Sequence, residues 1–226
     1  MLIAACASTM PPRSDWPAVL RGAHFEPLTP ELHVAKRPIY LGAGGRTVHQ
    51  AEAQDYMRRL EARLERSIRK PGTQITRIGT TVTVLVVRSS LIEFDRPEFS
   101  SMGKDILNQV VRALNEFDRT WVEITGFTDA MASQDHAIAL SQDMAQRTAV
   151  FLAHNGISPI RMFITGRGAS NPIADNSTDV GRLMNQRVEI RISPVFPAPP
   201  STTFDMVQRG PALEVGSGSV VGMPVQ

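Results

Sequence analysis

Hydrophobic positions along the chain change their period several times, and each change marks an element. Between Val48 and Lys70, Tyr56, Leu60, Leu64 and Ile68 recur every four residues with arginines opposite, which predicts an amphipathic helix. Pro71-Gly72 ends it. Gln74 to Ile78 and Thr81 to Val87 are β-branched and alternate around Gly79, which predicts a hairpin or two edge strands. From Phe99 to Phe117, Met102, Ile106, Val110, Ala113, Leu114 and Phe117 fall on one helical face, and a short strand, Trp121 to Thr125, follows at once. Ala137, Leu140, Met144, Thr148, Phe151 and Leu152 mark a second long helix, closed by Asn155-Gly156 as a left-handed cap. Arg161 to Thr165 and Val188 to Ile192 read as strands, with a short helix from Thr178 to Met184 between them. Helices alternating with short strands imply one sheet covered by helices, an α/β or α+β sandwich of two layers.

The ends break this pattern. From Ala7 to about Gly45, Pro11, Pro12, Pro17, Pro27, Pro30 and Pro38 remove amide donors and bias their predecessors toward extended backbone, so an arm with little independent folding is expected. Its aromatics Trp16, Phe25 and Tyr40 either dock on a partner or pack back on the parent domain. Beyond Ser193, a run from Pro194 to Pro200 opens a tail that includes Gly216-Ser217-Gly218-Ser219 and is expected to be disordered alone. The expected divisions are residues 1–6, a proline-rich arm over 7–47, a helix and lead-in strand over 48–79, one domain over 80–193, and a tail over 194–226.

Charge narrows the function classes. A formal net charge of +2 with interspersed signs leaves no field for nucleic-acid binding. Arg58, Arg59, Arg63, Arg66, Arg69 and Lys70 cluster, but Glu52, Glu61 and Glu65 lie among them, so a solvated helix face is the better account. No stretch approaches the ~18 apolar residues of a membrane span, and any membrane attachment is expected to use an anchor. The one cysteine, Cys6, ends Leu2-Ile3-Ala4-Ala5-Cys6. That run resembles a bacterial lipobox, in which the cysteine carries acyl chains worth about 0.8 kcal/mol per buried methylene; the alternative is an apolar start with an accidental cysteine. Met1 to Ala5 is too short for a signal peptide, so the reading frame is expected to begin upstream.

Catalysis is not expected. His24, His33, His49, His136 and His154 lack metal-ligand spacing, no nucleophile and base stand out, and neither a metal nor a cofactor is expected. Gly166-Arg167-Gly168 lacks the lysine and strand-to-helix setting of a phosphate loop and reads as turn glycines.

Several strings in the central block add specificity: Ile92-Glu93-Phe94-Asp95, Thr125-Gly126-Phe127-Thr128-Asp129, Leu140-Ser141, Asn155-Gly156-Ile157, Gly166-Arg167-Gly168 with Asn171-Pro172, Asn176 through Thr178, Gly181-Arg182, and Asn185-Gln186-Arg187-Val188-Glu189-Ile190. In this order and spacing, over more than a hundred residues, the block resembles the C-terminal domain shared by OmpA, Pal and MotB. The resemblance implies an α+β fold, a two-layer OmpA-like sandwich with a mixed sheet covered by helices, here with extended N- and C-terminal arms. It also implies non-covalent capture of peptidoglycan through diaminopimelate, whose ammonium needs an aspartate and whose carboxylate needs an arginine fork and helix-terminal amides.

Asp129 stands where that aspartate is expected, beside Thr128, and can serve equally as a capping or loop residue. The other half departs from the family: its usual arginine falls at Met144, its asparagine at Ala137 and its histidine at Phe127. Leaving a buried charge unpaired costs about 2 to 5 kcal/mol, roughly a factor of 30 to 5,000 in affinity. Arg147, about 4.5 Å further along the helix, either reaches back to replace the arginine or is an ordinary solvated charge, the better account. Arg182 and Arg187 read as structural, paired with carboxylates such as Asp175 or Glu189.

The expected function is that of an outer-membrane lipoprotein on the periplasmic face, anchored through Cys6. A degenerate OmpA-like domain would serve there as a structural subunit of an envelope-spanning assembly, with envelope or secretion-complex proteins as partners, and the chain resembles lipoprotein components of Dot/Icm-type type IV secretion systems. The alternative is a Pal-like peptidoglycan tether in which Thr128, Asp129 and Arg147 hold diaminopimelate.

Overall fold

The computed structural model describes residues 17–93 and 98–198. Cys6, Trp16, Phe94-Asp95 and the glycine-serine tail lie outside the described residues, as does everything expected of them.

The hairpin forms as the alternation predicts. Strands β1 (Thr73–Ile78) and β2 (Thr81–Val87) pair antiparallel across Gly79, whose φ of +59° is the left-handed conformation a tight turn needs. Strand β3 (Thr120–Phe127), β4 (Met162–Gly166) and β5 (Arg187–Pro194) complete a mixed sheet in the order β1-β2-β5-β3-β4. Only β3 and β4 run parallel, as the two strands of a crossover through helix α5 (Gln134–His154).

One face of the sheet carries Val82, Val84, Val86, Val122, Ile124, Ile164, Val188, Ile190 and Ile192, all buried. Helices α2 (Gln50–Ser67), α4 (Ser101–Glu116) and α5 cover it and contribute Leu60, Leu64, Ile106, Val110, Leu114, Met144 and Leu152 to one core. The stripe read for α2 is its buried stripe, and those read for α4 and α5 are buried apart from the half-buried Met102, Leu140 and Phe151. Ser100 caps α4 by accepting from Gly103 N at 2.8 Å, and Gly156 at φ +93° ends α5 where Ile157 N donates back to Leu152 O. Two short helices remain: α3 (Arg88–Leu91) after β2 and α6 (Asp179–Asn185) before β5, the latter capped by Thr178.

The N-terminal arm corrects an expectation. After a 3₁₀ turn at Ala18–Leu20, residues Pro30–Gly42 form helix α1 rather than extended backbone. Pro30 occupies the first helical position, where a missing amide costs nothing, and Thr29 accepts from Leu32 N as N-cap. Pro38 is tolerated inside the helix because tertiary contacts hold it: Tyr40 packs with Trp121, Phe163 and Val195 in a second, smaller core on the far face of the sheet. Phe25 and Tyr40 therefore pack back on the parent domain, both nearly fully buried.

Candidate functional site

The crossover β3-α5-β4 builds the region around Asp129. A Cβ on Gly126 would stand 2.0 Å from Ser141 O, so glycine lets α5 lie directly on the sheet. Ser141, fully buried, accepts from Gly168 N at 2.8 Å, and Gln142 Oε1 accepts from Gly166 N at 2.5 Å. These bonds clamp the loop after β4 to the first half of α5 and give the Leu140-Ser141 and Gly166-Arg167-Gly168 strings a shared structural reason. Gly168, at φ +55°, is the turn glycine expected.

Thr128 and Asp129 follow the last residue of β3. Thr128 is buried, its N–H donating to Gly168 O at 2.8 Å and its hydroxyl to Asp129 O at 3.1 Å. Asp129 is half-buried, with its carboxylate held at both oxygens: Oδ1 accepts from Met131 N at 3.2 Å and Oδ2 from Gln186 Nε2 at 2.5 Å. Asp129 thus orders its own loop, the loop role open to it in the sequence, with a carboxylate fixed from two sides.

Gln186 was not legible as its partner. Only the register shows it: Phe127 lies opposite Arg187 across β3 and β5, which sets residue 186 beside the loop that starts at 128. Arg187 is 2% exposed, stacks 3.9 Å above the Phe127 ring and donates to Glu189 at 2.8 Å and to Asn171 O at 3.0 Å. It is a structural cation, as expected, and its place over the ring gives Phe127 a packing role. Arg182 is structural too, but its carboxylate is Asp179 rather than Asp175.

The remaining sequence candidates do not converge. Met144 is 1% exposed and belongs to the main core, and Ala137 is buried as well. Arg147 forms an ion pair with Asp143 at 2.6 Å and lines a groove with Glu98, Phe99, Lys104, Val150 and Phe151; neither Thr128 nor Asp129 is among its walls. Among the described residues no three His, Cys, Asp or Glu side chains gather as metal ligands, and no helix is long and apolar enough to cross a membrane.

Comparison with known proteins places this geometry. Residues 93–186 match the OmpA family. The chain is 33% identical over 140 residues to the protein named "Probable lipoprotein YiaD" of Escherichia coli, covering 62% of this chain and 64% of that protein. It is 37% identical over 89 residues to peptidoglycan-binding protein ArfA of Mycobacterium tuberculosis, covering 39% of this chain and 27% of that one. The chain therefore spans less than two thirds of either relative. Among solved structures, the cell wall anchor of the T6SS from Pseudomonas aeruginosa superposes with a TM-score of 0.54 at 24% identity, over 61% of this chain and 99% of that one, which shows a common fold.

Proposed function

Since residues 93–186 form an OmpA-like domain, we propose that the protein works in the bacterial cell envelope as a non-enzymatic module that holds peptidoglycan without a covalent bond. The observation that carries this reading is the Asp129 carboxylate, half-exposed beyond the end of β3 and oriented by Met131 N and Gln186. An oriented carboxylate complements an ammonium such as that of diaminopimelate. The resemblance to a protein named for peptidoglycan binding supports it.

The site is half of the one the family resemblance implies. Met144 lies in the core and Arg147 is paired with Asp143, so neither position supplies the arginine fork that the resemblance implies for the carboxylate of the guest. The contact is then weak by itself, and its strength comes from geometry: lipidation of Cys6 would hold the domain beside a polymeric ligand, where high effective concentration compensates for modest affinity. The protein would sit at the outer membrane, facing the periplasm, as the name of the lipoprotein relative also suggests.

A second reading, a structural subunit of an envelope-spanning assembly such as a type IV secretion system, is favoured by one observation. Phe127, Ala137 and Met144, three positions that are polar in the wall-binding pocket, are apolar and buried here. Sedimentation with purified sacculi decides between them. The intact chain is expected to co-sediment at low salt and lose about tenfold in retention on Asp129→Asn. No retention of the intact chain at low salt overturns wall binding and leaves the subunit role.

A further inference from the structure

Phe99, Val150, Phe151 and Pro17 form the apolar walls of a groove of about 480 Å³, within the range of clefts that accept a bulky organic group. Phe99 and Phe151 meet edge to face at 5.5 Å, and both lean on the main core, so this wall is firm. From Asp143 to His154 the lining residues of α5 recur every three or four positions, which makes one continuous helical face about 16 Å long. The rim is balanced in charge: Glu98 and Asp143 stand against Lys104 and Arg147, with His154 at one end of the helical face.

Pro17 selects the occupant. It is at once a wall of the groove and the first described residue, and the turn that follows is pinned, with Leu20 buried and Val19 packed on the main core. Chain continuity therefore starts the preceding segment, Met10-Pro11-Pro12-Arg13-Ser14-Asp15-Trp16, at the groove itself. Seven residues in the extended form that prolines favour span about 22 Å, enough to follow the whole helical face. Prolines also leave less freedom to lose on docking. The segment suits the groove, with an indole for the aromatic wall and one charge of each sign, Arg13 and Asp15, for the balanced rim. Residues 94–97, which adjoin the wall at Glu98, are too few to take this place: Glu93 N donates to Glu98 O at 3.0 Å, so both their ends are fixed and they extend no more than about 7 Å.

We infer that residues 10–16 dock along this groove, with Trp16 against Phe99, Val150 and Phe151, as a strap that fixes where the N-terminal arm leaves the domain. The docking is independent of wall binding, and only its consequence rests on the anchor proposed above. With Cys6 acylated, residues 7–9 alone would join anchor to strap and reach about 10 Å, against about 35 Å for residues 7–16 released. Docking would then hold the domain near the membrane surface, and release would lengthen its reach toward the wall.

Fluorescence of the full chain tests the strap, because Trp16 and Trp121 are the two tryptophans of the sequence and Trp121 is 1% exposed. Subtracting the signal of Trp16→Phe isolates Trp16, which is expected to emit to the blue of a free tryptophan amide and to resist quenching by acrylamide. That protection is expected to be lost in Val150→Lys, which puts a charge in the apolar wall, and in Gln146→Phe, which fills the groove from a polar position; an unchanged Trp121 signal shows that the fold holds. Trp16 quenched as freely as the amide overturns the inference, as does protection that both groove variants leave intact. Protection that fades on dilution assigns the strap's cover to a second copy, and protection that needs phospholipid vesicles assigns it to the bilayer; either result overturns the inference too. Retention of Val150→Lys on sacculi reads wall binding separately, so each idea can fail alone.

Discussion

Absent methyl groups set how tightly the helices sit. At Gly126 an added Cβ would meet Ser141 O at 2.0 Å, and at Gly103 it would meet Leu91 O at 2.1 Å, backbone that cannot yield without moving α5 or α4. Gly126→Ala is expected to lower unfolding free energy by about 2 to 3 kcal/mol in urea titration, an overpacking cost, and to disturb the Asp129 loop with it. Arg187 is the opposite case, a charge that the interior has accommodated. Arg187→Ala would leave Glu189 without its cation and Asn171 O without a donor, with an expected loss of about 3 to 5 kcal/mol by the same measurement. Both residues sit in strings read from the sequence as family-like, and their physical reasons, a close approach and a buried ion pair, are structural rather than ligand contacts.

Helix α1 shows how tertiary packing overrides a local reading. Its inner side brings His33, Lys36, Arg37 and Tyr40 against Trp121 and Phe163. Lys36 Nζ donates to Met162 O at 2.9 Å and stands 4.5 Å from the Phe163 ring centroid. Around it lie His33, Arg37 and Tyr40 from α1, His24 from the preceding segment, and Arg161 behind. Arg37 Nε, His33 Nε2 and Trp121 Nε1 are enclosed without a hydrogen-bond partner, so the cover is held by apolar burial against a polar cost. Burial pushes the Lys36 amine down to about 7 from 10.5. Because unfolding or release lets the amine recover its ordinary value, the released state binds more protons between those two values, and docking strengthens as pH rises through that window, by about 1.4 kcal/mol per unit. Burial also lowers His33, which extends the same trend below pH 6.5. Lys36→Met is expected to melt higher than the parent chain at pH 7, with the gap closing toward pH 10; a constant gap in thermal unfolding across that range would refute the assignment.

For the whole molecule, the proposed wall contact is ionic and exposed, so retention on sacculi is expected to fall steeply as salt rises from about 0.05 to 0.5 M, where screening shortens to a few ångströms. Metabolic labelling with a radioactive fatty acid, expected for the natural chain and lost in Cys6→Ser, checks the anchor that would make so weak a site sufficient. Much of this molecule could be read along the chain. The helical stripes, the hairpin, the Asn155-Gly156 stop and the ordered family strings are local in sequence, and local periodicity determines which side of an element is apolar. The helix at Pro30–Gly42 is hidden from a proline count because proline at a first helical position is a start signal, whereas elsewhere in a helix it is a breaker. Pairings between distant residues needed the folded chain. Gln186 meets Asp129 across 57 residues through strand register, Met144 turns into the core, and Arg147 faces another groove. One-dimensional spacing carries the period of each element, whereas the contacts that make a site depend on how elements are set against one another.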